Sequence, residues 1–468
     1  MNRCLFRFGA HQLRWCVGGL TSWLLAAVGA NLAYAQNTPT NRPAQPPPED
    51  SNRPPGLTQS PTRPNSWSDA QGRSYTRSSV GSWTSYDETK ANPFSLPDPL
   101  ILKNGQPVKD ADTWWKLRRP EILEDFRAEM YGRIPENTPK ITWEITSSNA
   151  NAAGGVAVKK TVVGHIDNSR YPAANPSINL TLYTPVKATG PVPTIVVVVA
   201  GPGGYGAPRP GAATGSQPEP PPGSPLYQLL AIGWGYATME VGPIQNDYSG
   251  GLSSGIIGLM SEGKPRKPDD WGALSAWVWG LSRALDYLET DKSVDAKQMG
   301  VEGHSRYGKT ALLAAALDTR WAIAYPSCSG ELGAKPSRRN FGETVDNVAS
   351  SHWAAVNFHK YAGHWNDLPV DANELIALVA PRPLFLNGGT GDQWADPHGA
   401  FLAAVSAGPV YRLLGKNELG STEMPAPDTG LTSGELAFRY HNGGHSDAPD
   451  WPAFLQFAQR YLKAPGRH

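Results

Sequence analysis

The amino-acid sequence predicts an α/β fold, a three-layer α/β/α sandwich in which helices cover both faces of a mostly parallel sheet. Strand-like segments alternate with helical ones from about residue 92 to residue 463. The run at residues 194–199 is almost entirely β-branched, as expected of a central strand buried on both faces. A third indication is a serine in a glycine-containing turn, placed between a short strand and a helix at residues 299–317.

The first 35 residues predict a secretory signal peptide. Three arginines form a basic start, residues 15–28 are mostly apolar, and residues 33–35 have the small side chains that signal peptidase requires. The uninterrupted apolar run is short for a membrane anchor, which is the alternative interpretation. We therefore expect a secreted or periplasmic protein that has no membrane attachment after cleavage.

Cleavage of that peptide changes both the net charge and the cysteine count. The formal net charge of +1 falls by three, to −2, so charge gives no basis for binding nucleic acid. Of the three cysteines only Cys328 remains, which excludes an intrachain disulfide. We expect a monomer whose stability depends on its hydrophobic core.

The remaining chain divides into a leader and one catalytic domain. Residues 36–95 are rich in Pro, Ser and Thr, with few apolar side chains to offset the entropy of ordering, so they predict a disordered leader. Residues 96–465 are the predicted catalytic domain. Its expected strands and helices are strands at 141–146, 178–183, 194–199 and 383–387, and helices at 271–289, 309–317 and 452–462.

The turn at residues 303–309 predicts a nucleophile elbow. It reads GHSRYGK and joins a short strand to an Ala/Leu-rich helix, a context that presents a serine hydroxyl at the top of a sheet. The common elbow has glycine two residues before and two residues after the serine. Gly303 fits this pattern, but Tyr307 occupies the second position and Gly308 comes one residue later. The alternative is that Ser305 only caps the helix.

A serine nucleophile needs a base, and the base needs a carboxylate to orient it. In α/β-hydrolases the acid follows a late strand, and the histidine lies near the C-terminus. His445 stands in a glycine-flanked loop and fits the base better than His441, which adjoins a predicted strand. Asp392 follows the strand at 383–387 and fits the acid better than Asp396.

Short motifs along most of the chain match one enzyme family. They are LPDP at 96–99, RRPE at 118–121, WGALSAW at 271–277, SRRNFGE at 337–343, APRP at 380–383 and DQWADP at 392–397. With an elbow of the form Gly-x-Ser-Arg-x-Gly-Lys, the chain resembles the bacterial glucuronoyl esterases of carbohydrate esterase family 15. The resemblance implies an α/β-hydrolase fold. It also implies hydrolysis of esters between 4-O-methyl-glucuronic acid of glucuronoxylan and lignin alcohols.

The resemblance further implies roles for individual side chains. Those that act on the ester are Ser305 as nucleophile, His445 as base and Arg306 as a stabiliser of the oxyanion. Those that contact the sugar are Lys309 and Glu343, through hydroxyl groups, and Trp394, against the ring. The plainer interpretation is that Arg306 and Lys309 are solvated residues of the first helical turn and that Glu343 is half of a surface ion pair.

The catalytic acid is where this sequence departs from part of that family. Some members have a Glu just after the strand that follows the elbow helix, where this chain has Cys328. A thiol cannot orient an imidazolium as a carboxylate does, so we expect Cys328 to be a buried, inert thiol. Other members use an acid after the later strand, which Asp392 matches. Glu331 is the alternative acid.

Other classes of function stay open on sequence alone. A carbohydrate deacetylase would use the same triad, and a catalytically weak relative would keep the site as a carbohydrate-binding pocket. The glycine-rich turn at 201–206 lacks the Lys-Ser/Thr ending of a phosphate-binding loop. The histidines and aspartates at 364–398 show no metal-ligand spacing, so we expect neither a metal nor another cofactor.

Overall fold

The computed structural model describes residues 53–61, 66–78, 80–201 and 220–466. The signal peptide expected at 1–35 lies outside these residues, as does the glycine-rich turn from residue 202 onward. Across the described ranges, no helix combines the length and the apolar character that crossing a membrane requires.

Strands and helices alternate along most of the described chain. The strands are β1 (Thr58–Gln59), β2 (Ser66–Ser68), β3 (Ser74–Thr76), β4 (Ile141–Asn151), β5 (Ala157–Ile166), β6 (Ser177–Pro185), β7 (Val192–Val199), β8 (Gly235–Glu240), β9 (Val294–His304), β10 (Ile323–Ser327), β11 (Leu384–Gly389), β12 (Thr429–Leu431) and β13 (Leu436–His441). The α-helices are α1 (Ala111–Thr113), α2 (Arg119–Asp125), α3 (Ala152–Gly155), α4 (Pro225–Ala231), α5 (Gly255–Ser261), α6 (Ala273–Leu288), α7 (Arg306–Leu317), α8 (Val345–Val348), α9 (Ala372–Ala377), α10 (Pro397–Leu413) and α11 (Trp451–Ala458).

One large sheet contains ten of these strands, in the order β12-β13-β11-β10-β9-β7-β8-β6-β5-β4. The six strands from β13 to β8 are parallel to one another. β12 is antiparallel at one edge, and β6, β5 and β4 are antiparallel at the other. The predicted mostly parallel sheet is therefore confirmed.

Strand β7 is apolar at successive positions because both of its faces are buried. Ile195 belongs to the core on one face of the sheet, where α4 and α11 pack. Val196 and Val198 belong to the core on the other face, together with α6, α7 and α10. Because successive side chains of a strand point to opposite faces, a strand covered on both faces buries apolar side chains at successive positions. The three-layer α/β/α prediction is confirmed.

Helix α6 is buried almost all round and packs closely against the loop that contains Trp353. Its N-cap is Gly272, and a Cβ atom there would lie 2.1 Å from the backbone oxygen of Trp353. The amide of Leu274 also donates to that oxygen. This close approach gives a physical reason for the glycine of the WGALSAW motif. It also holds the loop around Trp353 firmly against the helix.

The structure differs from the sequence prediction in the N-terminal segment. The sequence predicts a disordered leader over 36–95, but β1, β2 and β3 form an antiparallel sheet within that range. The overall composition of this segment does not reveal that its aromatic side chains are buried. Tyr75 and Tyr86 lie in one buried cluster with Phe341. Glu88 also pairs with Arg339 at 2.6 Å. The described residues from 53 onward thus belong to one compact unit that begins before the predicted boundary at residue 96.

Strand β4 forms the outer edge of the large sheet. Most of its eleven residues are exposed, and their side chains are mainly polar. Its pairing with β5 shifts register between Ile145 and Ser147, where a bulge interrupts the ladder. The edge is therefore both polar and irregular.

Candidate active site

Ser305 occupies a sharp turn between strand β9 and helix α7. Its φ of 61° and ψ of −125° lie outside the regions that side-chain-bearing residues normally adopt. The Ser305 amide donates to the backbone oxygen of Ser327 at 2.9 Å, which ties the turn to the end of β10. A serine in such a strand–turn–helix is held at the carboxyl end of the sheet, as a nucleophile elbow requires.

The displaced second glycine of the elbow has a steric reason. A Cβ atom at Gly303 would lie 2.1 Å from the backbone oxygen of Tyr307, and one at Gly308 would lie 2.5 Å from that of Ser327. Helix α7 therefore lies directly against the end of β10 at Gly308. Tyr307 can carry a large side chain because its ring instead packs against Trp277, with centroids 6.0 Å apart.

His445 and Asp392 form a hydrogen-bonded pair beside this turn. Asp392 Oδ2 accepts from His445 Nδ1 at 2.7 Å, and the carboxylate is buried while the imidazole is 38% exposed. The His445 ring lies 4.3 Å from the ring of His304, the residue that precedes Ser305. With Nδ1 held by Asp392, Nε2 is the nitrogen that can take a proton from a hydroxyl.

The rival candidates for base and acid have other partners. His441 is fully buried, with Nδ1 2.7 Å from Asp450 and Nε2 2.9 Å from the Gly444 oxygen. The carboxylate of Asp396 pairs with Arg339 and accepts from the amide of Gly399. Each of these groups therefore stabilises local structure.

Glu331, the alternative acid, points into a different network. Its carboxylate accepts from Ser337 Oγ and pairs with Lys335 at 3.3 Å. Burial raises the pKa of this carboxyl, and the Lys335 charge and the Ser337 hydroxyl only partly offset that effect. The geometry favours Asp392 over Glu331 as the group that orients His445.

Cys328 lies next to the His445–Asp392 pair. It follows β10 with a φ of 46°, and its Sγ is within 4.8 Å of the facing atoms of Asp392 and His445. Burial, and then the neighbouring Asp392 carboxylate, raise the pKa of the thiol well above its usual range. The predicted burial of Cys328 is confirmed, and a protonated, buried thiol is expected to be a poor nucleophile.

Arg306, the first residue of α7, contacts Asp247 and Trp353 among the described residues. Its Nη1 donates to Asp247 Oδ2 at 3.0 Å, and its guanidinium lies 4.9 Å from the centre of the Trp353 ring. The guanidinium thus stands at the elbow with its orientation fixed. A fixed positive charge at this position suits an oxyanion formed at Ser305.

Lys309 and Glu343 form a buried ion pair one helical turn further on. Lys309 Nζ donates to Glu343 Oε2 at 2.7 Å and to the backbone oxygens of Ser329 and Glu331. These three bonds engage all three ammonium protons, a stronger internal role than the sequence suggests. Glu343 Oε2 also accepts from the Glu331 amide, and within the described residues no hydrogen bond engages its Oε1.

Trp394 is half-buried in the loop that begins at Asp392. Its backbone oxygen accepts from the Glu343 amide at 2.8 Å. Its ring packs against the N-terminal aromatic cluster around Tyr86 and Phe341. The structure therefore brings two of the three predicted sugar-contacting residues into direct backbone contact.

Comparisons with known proteins identify relatives of this chain. A family model described as "Glucuronyl esterase, fungi" matches residues 266–415. A curated relative, the carbohydrate esterase MZ0003 of an unknown prokaryotic organism, is 35% identical over 405 residues, which cover 81% of this chain and 92% of the relative. The solved glucuronoyl esterase of Teredinibacter turnerae, itself a family 15 enzyme, shares 42% identity and a TM-score of 0.73 over 81% of this chain and 92% of its own. The chain belongs to carbohydrate esterase family 15.

Further glucuronoyl esterases show the same likeness. A glucuronoyl esterase structure from Solibacter usitatus has a TM-score of 0.71 at 38% identity, covering 80% of this chain and 99% of its own. A curated 4-O-methyl-glucuronoyl methylesterase of Phanerochaete carnosa is 29% identical over 70% of this chain and 75% of its own length. The α/β-hydrolase prediction is confirmed with the family.

Family membership does not by itself reveal the groups that hold Arg306. Sequence reasoning missed Asp247, His352 and Trp353, whose side chains meet in the structure. Asp247 lies between β8 and α5, about a hundred residues before the other two, and no motif spacing links these positions. The adjacent His-Trp pair was the only local signal available.

Three potential metal-ligating groups come together in the described part of the chain, namely Cys328, Asp392 and His445. In this family 15 protein two of them already satisfy each other through the imidazole–carboxylate hydrogen bond. Serine acyl transfer needs no metal to generate its nucleophile. The expectation that no metal is required stays a prediction.

Proposed function

We propose that this family 15 enzyme is a serine esterase that cleaves the bond between (4-O-methyl-)glucuronic acid of glucuronoxylan and an alcohol of lignin. The observation that carries the mechanism is the 2.7 Å bond between His445 and the buried Asp392, beside the strained Ser305 turn. The acid half of the substrate is supported by relatives named 4-O-methyl-glucuronoyl methylesterase. The alcohol half rests on the family resemblance.

In the first half-reaction His445 Nε2 accepts the proton of Ser305 as Oγ attacks the uronate carbonyl carbon. The carbonyl oxygen becomes an oxyanion, which the Arg306 guanidinium stabilises. Asp392 stabilises the imidazolium that forms and keeps its ring oriented. The oxyanion then collapses, and the ester C–O bond breaks as His445 returns its proton to the departing alkoxide oxygen.

In the second half-reaction water takes the place of the alcohol. His445 accepts a proton from the water, whose oxygen attacks the acyl-enzyme carbonyl. The bond to Ser305 Oγ breaks, the serine regains its proton from His445, and glucuronic acid leaves. Both half-reactions use the same base and the same oxyanion site, and both pass through the ester formed on Ser305 Oγ. Loss of Ser305 therefore abolishes both.

The sugar would be bound by the group around Lys309. We assign Glu343 Oε1 to a sugar hydroxyl, because Oε2 is already engaged by Lys309 and Glu331. Trp394, half-buried in the next loop, supplies a ring face for sugar C–H groups. Lys309 would contact the sugar only by exchanging one of its three internal acceptors.

An assay of ester hydrolysis tests this function directly. Purified enzyme is assayed on benzyl glucuronate and, separately, on an acetylated sugar, beside the variants Ser305→Ala, Asp392→Asn and Cys328→Ala. We expect cleavage of the uronate ester alone. The kcat should fall by about 10⁴ or more in Ser305→Ala and by about 10²–10⁴ in Asp392→Asn, because each is part of one triad. Cys328→Ala is the matched control beside the same histidine, and its kcat should stay within about threefold.

Each contrary result has a definite meaning. Cleavage of the acetylated sugar alone would keep the triad and replace the substrate by that of a carbohydrate deacetylase. Full activity in Ser305→Ala would overturn the serine mechanism. Loss of activity in Cys328→Ala with full activity in Asp392→Asn would indicate that Cys328, and not Asp392, orients His445. Absence of turnover on both esters, with retained sugar binding, would indicate a carbohydrate-binding protein.

We also propose that the enzyme acts as an exported monomer, in the periplasm or outside the cell. A polymer of xylan and lignin cannot enter a cell, so an enzyme that acts on it must leave the cytoplasm. The predicted signal peptide at residues 1–35 provides that route.

A further inference from the structure

Asp247 is a buried carboxylate whose two oxygens have different partners. Oδ2 accepts from Arg306 Nη1 at 3.0 Å. Oδ1 accepts from His352 Nε2 and Trp353 Nε1, each at 2.8 Å. Its side chain has no exposed area, whereas that of Arg306 is 20% exposed. One anion therefore joins the elbow to the loop that contains His352 and Trp353.

The Trp353 ring gives Arg306 a second contact. The guanidinium lies 4.9 Å from the ring centre, and Lys309 Nζ lies 5.7 Å from it. The Trp353 side chain cannot move freely, because its indole N–H donates to Asp247. The backbone oxygen of Trp353 also lies against the start of helix α6. The carboxylate and the ring together restrict a side chain that otherwise has many rotamers.

Asp247 keeps its negative charge despite its burial. Burial alone would raise its pKa. The hydrogen bonds from His352 and Trp353 and the charge of Arg306 outweigh that effect, so the pKa lies below its usual range. The partner of Arg306 is thus an anion throughout the pH range in which an imidazole base works.

We propose that Asp247 is a positioning residue that, with Trp353, holds the Arg306 guanidinium at the site where the oxyanion develops. Within the described residues, the side-chain hydrogen bonds of Asp247 go to Arg306, His352 and Trp353, so it would act on the ester only through Arg306. Preorganised charge stabilises a transition state most effectively, because no reorganisation is needed when the oxyanion forms. The inference rests on the proposed function, since it assigns a residue to the oxyanion site of that same reaction.

A double-mutant cycle between Asp247 and Arg306 tests this inference. Asp247→Asn keeps the shape and an acceptor for His352 and Trp353 but removes the charge that faces Arg306. We expect kcat to fall by about 10- to 100-fold with KM within about twofold, and Arg306→Ala to cost about 10²–10³-fold. Adding Asp247→Asn to Arg306→Ala should then cost less than about twofold further, because Asp247 acts only through Arg306.

Asp291→Asn is the matched control. Asp291 is also a buried carboxylate with one cationic partner, Lys160 at 2.7 Å, but it precedes β9 at the end opposite the elbow. This variant should keep the wild-type kcat even if its Tm falls. A general effect of losing a buried ion pair would lower kcat in both variants.

Two readouts separate failure of this inference from failure of the proposed function. The cycle is run on whichever ester the wild type cleaves, and the labelling rate of Ser305 by a fluorophosphonate is measured in parallel. That labelling needs the same oxyanion site whatever the natural substrate is, so it should fall with kcat in Asp247→Asn. Unchanged kcat and labelling in Asp247→Asn, a rise in either, or full additivity with Arg306→Ala would overturn the positioning role.

Discussion

At the scale of single residues, His445, the proposed base, lies next to a second imidazole that stays neutral. The rings of His445 and His304 are 4.3 Å apart. Burial, and then the nearby His445, lower the pKa of His304 from 6.5 to about 4. A cationic ring at this distance would oppose the imidazolium that His445 forms during acyl transfer. Keeping His304 neutral leaves His445 free to accept the proton.

This pKa gives a prediction for stability against pH. Between pH 6.5 and about 4 the unfolded chain binds a proton at this residue and the folded chain does not. The free energy of unfolding therefore falls as pH falls through that window. We expect His304→Gln to lose less Tm than the wild type between pH 7 and pH 4.5, measured by thermal unfolding. His165→Gln, at an exposed histidine on β5, should follow the wild type. Parallel curves for His304→Gln and the wild type would contradict the prediction.

Sequence reasoning placed some of these residues and not others, for a physical reason. Ser305, Asp392 and His445 each stand at the end of a strand or in a loop whose order along the chain is characteristic of the fold. Asp247 has no such mark, because its function depends on a contact with Arg306 across 59 residues of sequence. Its importance becomes visible only when the loops are folded together.

At the scale of secondary-structure elements, the elbow depends on contact between backbones. Helix α7 begins directly after Ser305 and packs its first turn on the end of β10. A side chain at Gly308 would have to displace the Ser327 oxygen, which accepts from the Ser305 amide. The position of Ser305, the proposed nucleophile, therefore depends on a residue three positions away.

Gly308→Ala should consequently damage activity more than stability. The new Cβ would lie 2.5 Å from the Ser327 oxygen, and backbone atoms must shift to accommodate it. We expect a loss of about 1–3 kcal/mol in the free energy of unfolding, as for other overpacked sites. We also expect turnover to slow by about two orders of magnitude or more, since the Ser305 turn moves with the helix.

The control for Gly308→Ala is Gly190→Ala, where the added Cβ would meet only Pro465 at an ordinary 3.7 Å. Urea unfolding and steady-state kinetics on both variants measure the two effects. Wild-type kcat in Gly308→Ala would refute the steric account of the displaced glycine.

The strands and helices with the clearest apolar sequence patterns were the ones that the sequence predicted best. β7 and α6 have continuous apolar patterns, and the structure places them within two residues of the predicted ends. β8 reads GYATME, whose residues include several with low strand propensity, and it is a strand because it pairs with both β7 and β6. Tertiary pairing, which the local pattern does not contain, decides such segments.

At the scale of the whole molecule, the N-terminal sheet is part of the enzyme and not an appendage. Tyr86 packs against Phe341, and Glu88 pairs with Arg339. Both contacts reach the segment that leads to Glu343, and the same aromatic cluster supports Trp394. These contacts join positions about 250 residues apart, which is why a count of Pro, Ser and Thr could not reveal them.

Removal of residues 53–90 from the mature enzyme should therefore weaken the sugar site. Each buried aromatic side chain contributes about 1.5–3 kcal/mol, so we expect the Tm to fall by several degrees. We expect KM for benzyl glucuronate to rise about fivefold or more, with a smaller change in kcat, because Trp394 and Glu343 lose support while Ser305 does not.

Glu88→Gln, which removes the negative charge that faces Arg339 and His398, is the milder comparison for this truncation and should change both quantities less. Thermal unfolding and steady-state kinetics check the two variants together. If the truncated enzyme keeps the wild-type KM and Tm, the N-terminal sheet does not support the site.

The irregular edge strand β4 has a consequence for behaviour at high concentration. An exposed edge offers unpaired amides and carbonyls on which a second chain could add a strand and begin an aggregate. Here most side chains along that edge are polar, and the bulge between Ile145 and Ser147 breaks the regular spacing that a foreign strand would need. A ten-stranded sheet can in this way end in solvent without acting as a template for fibrils.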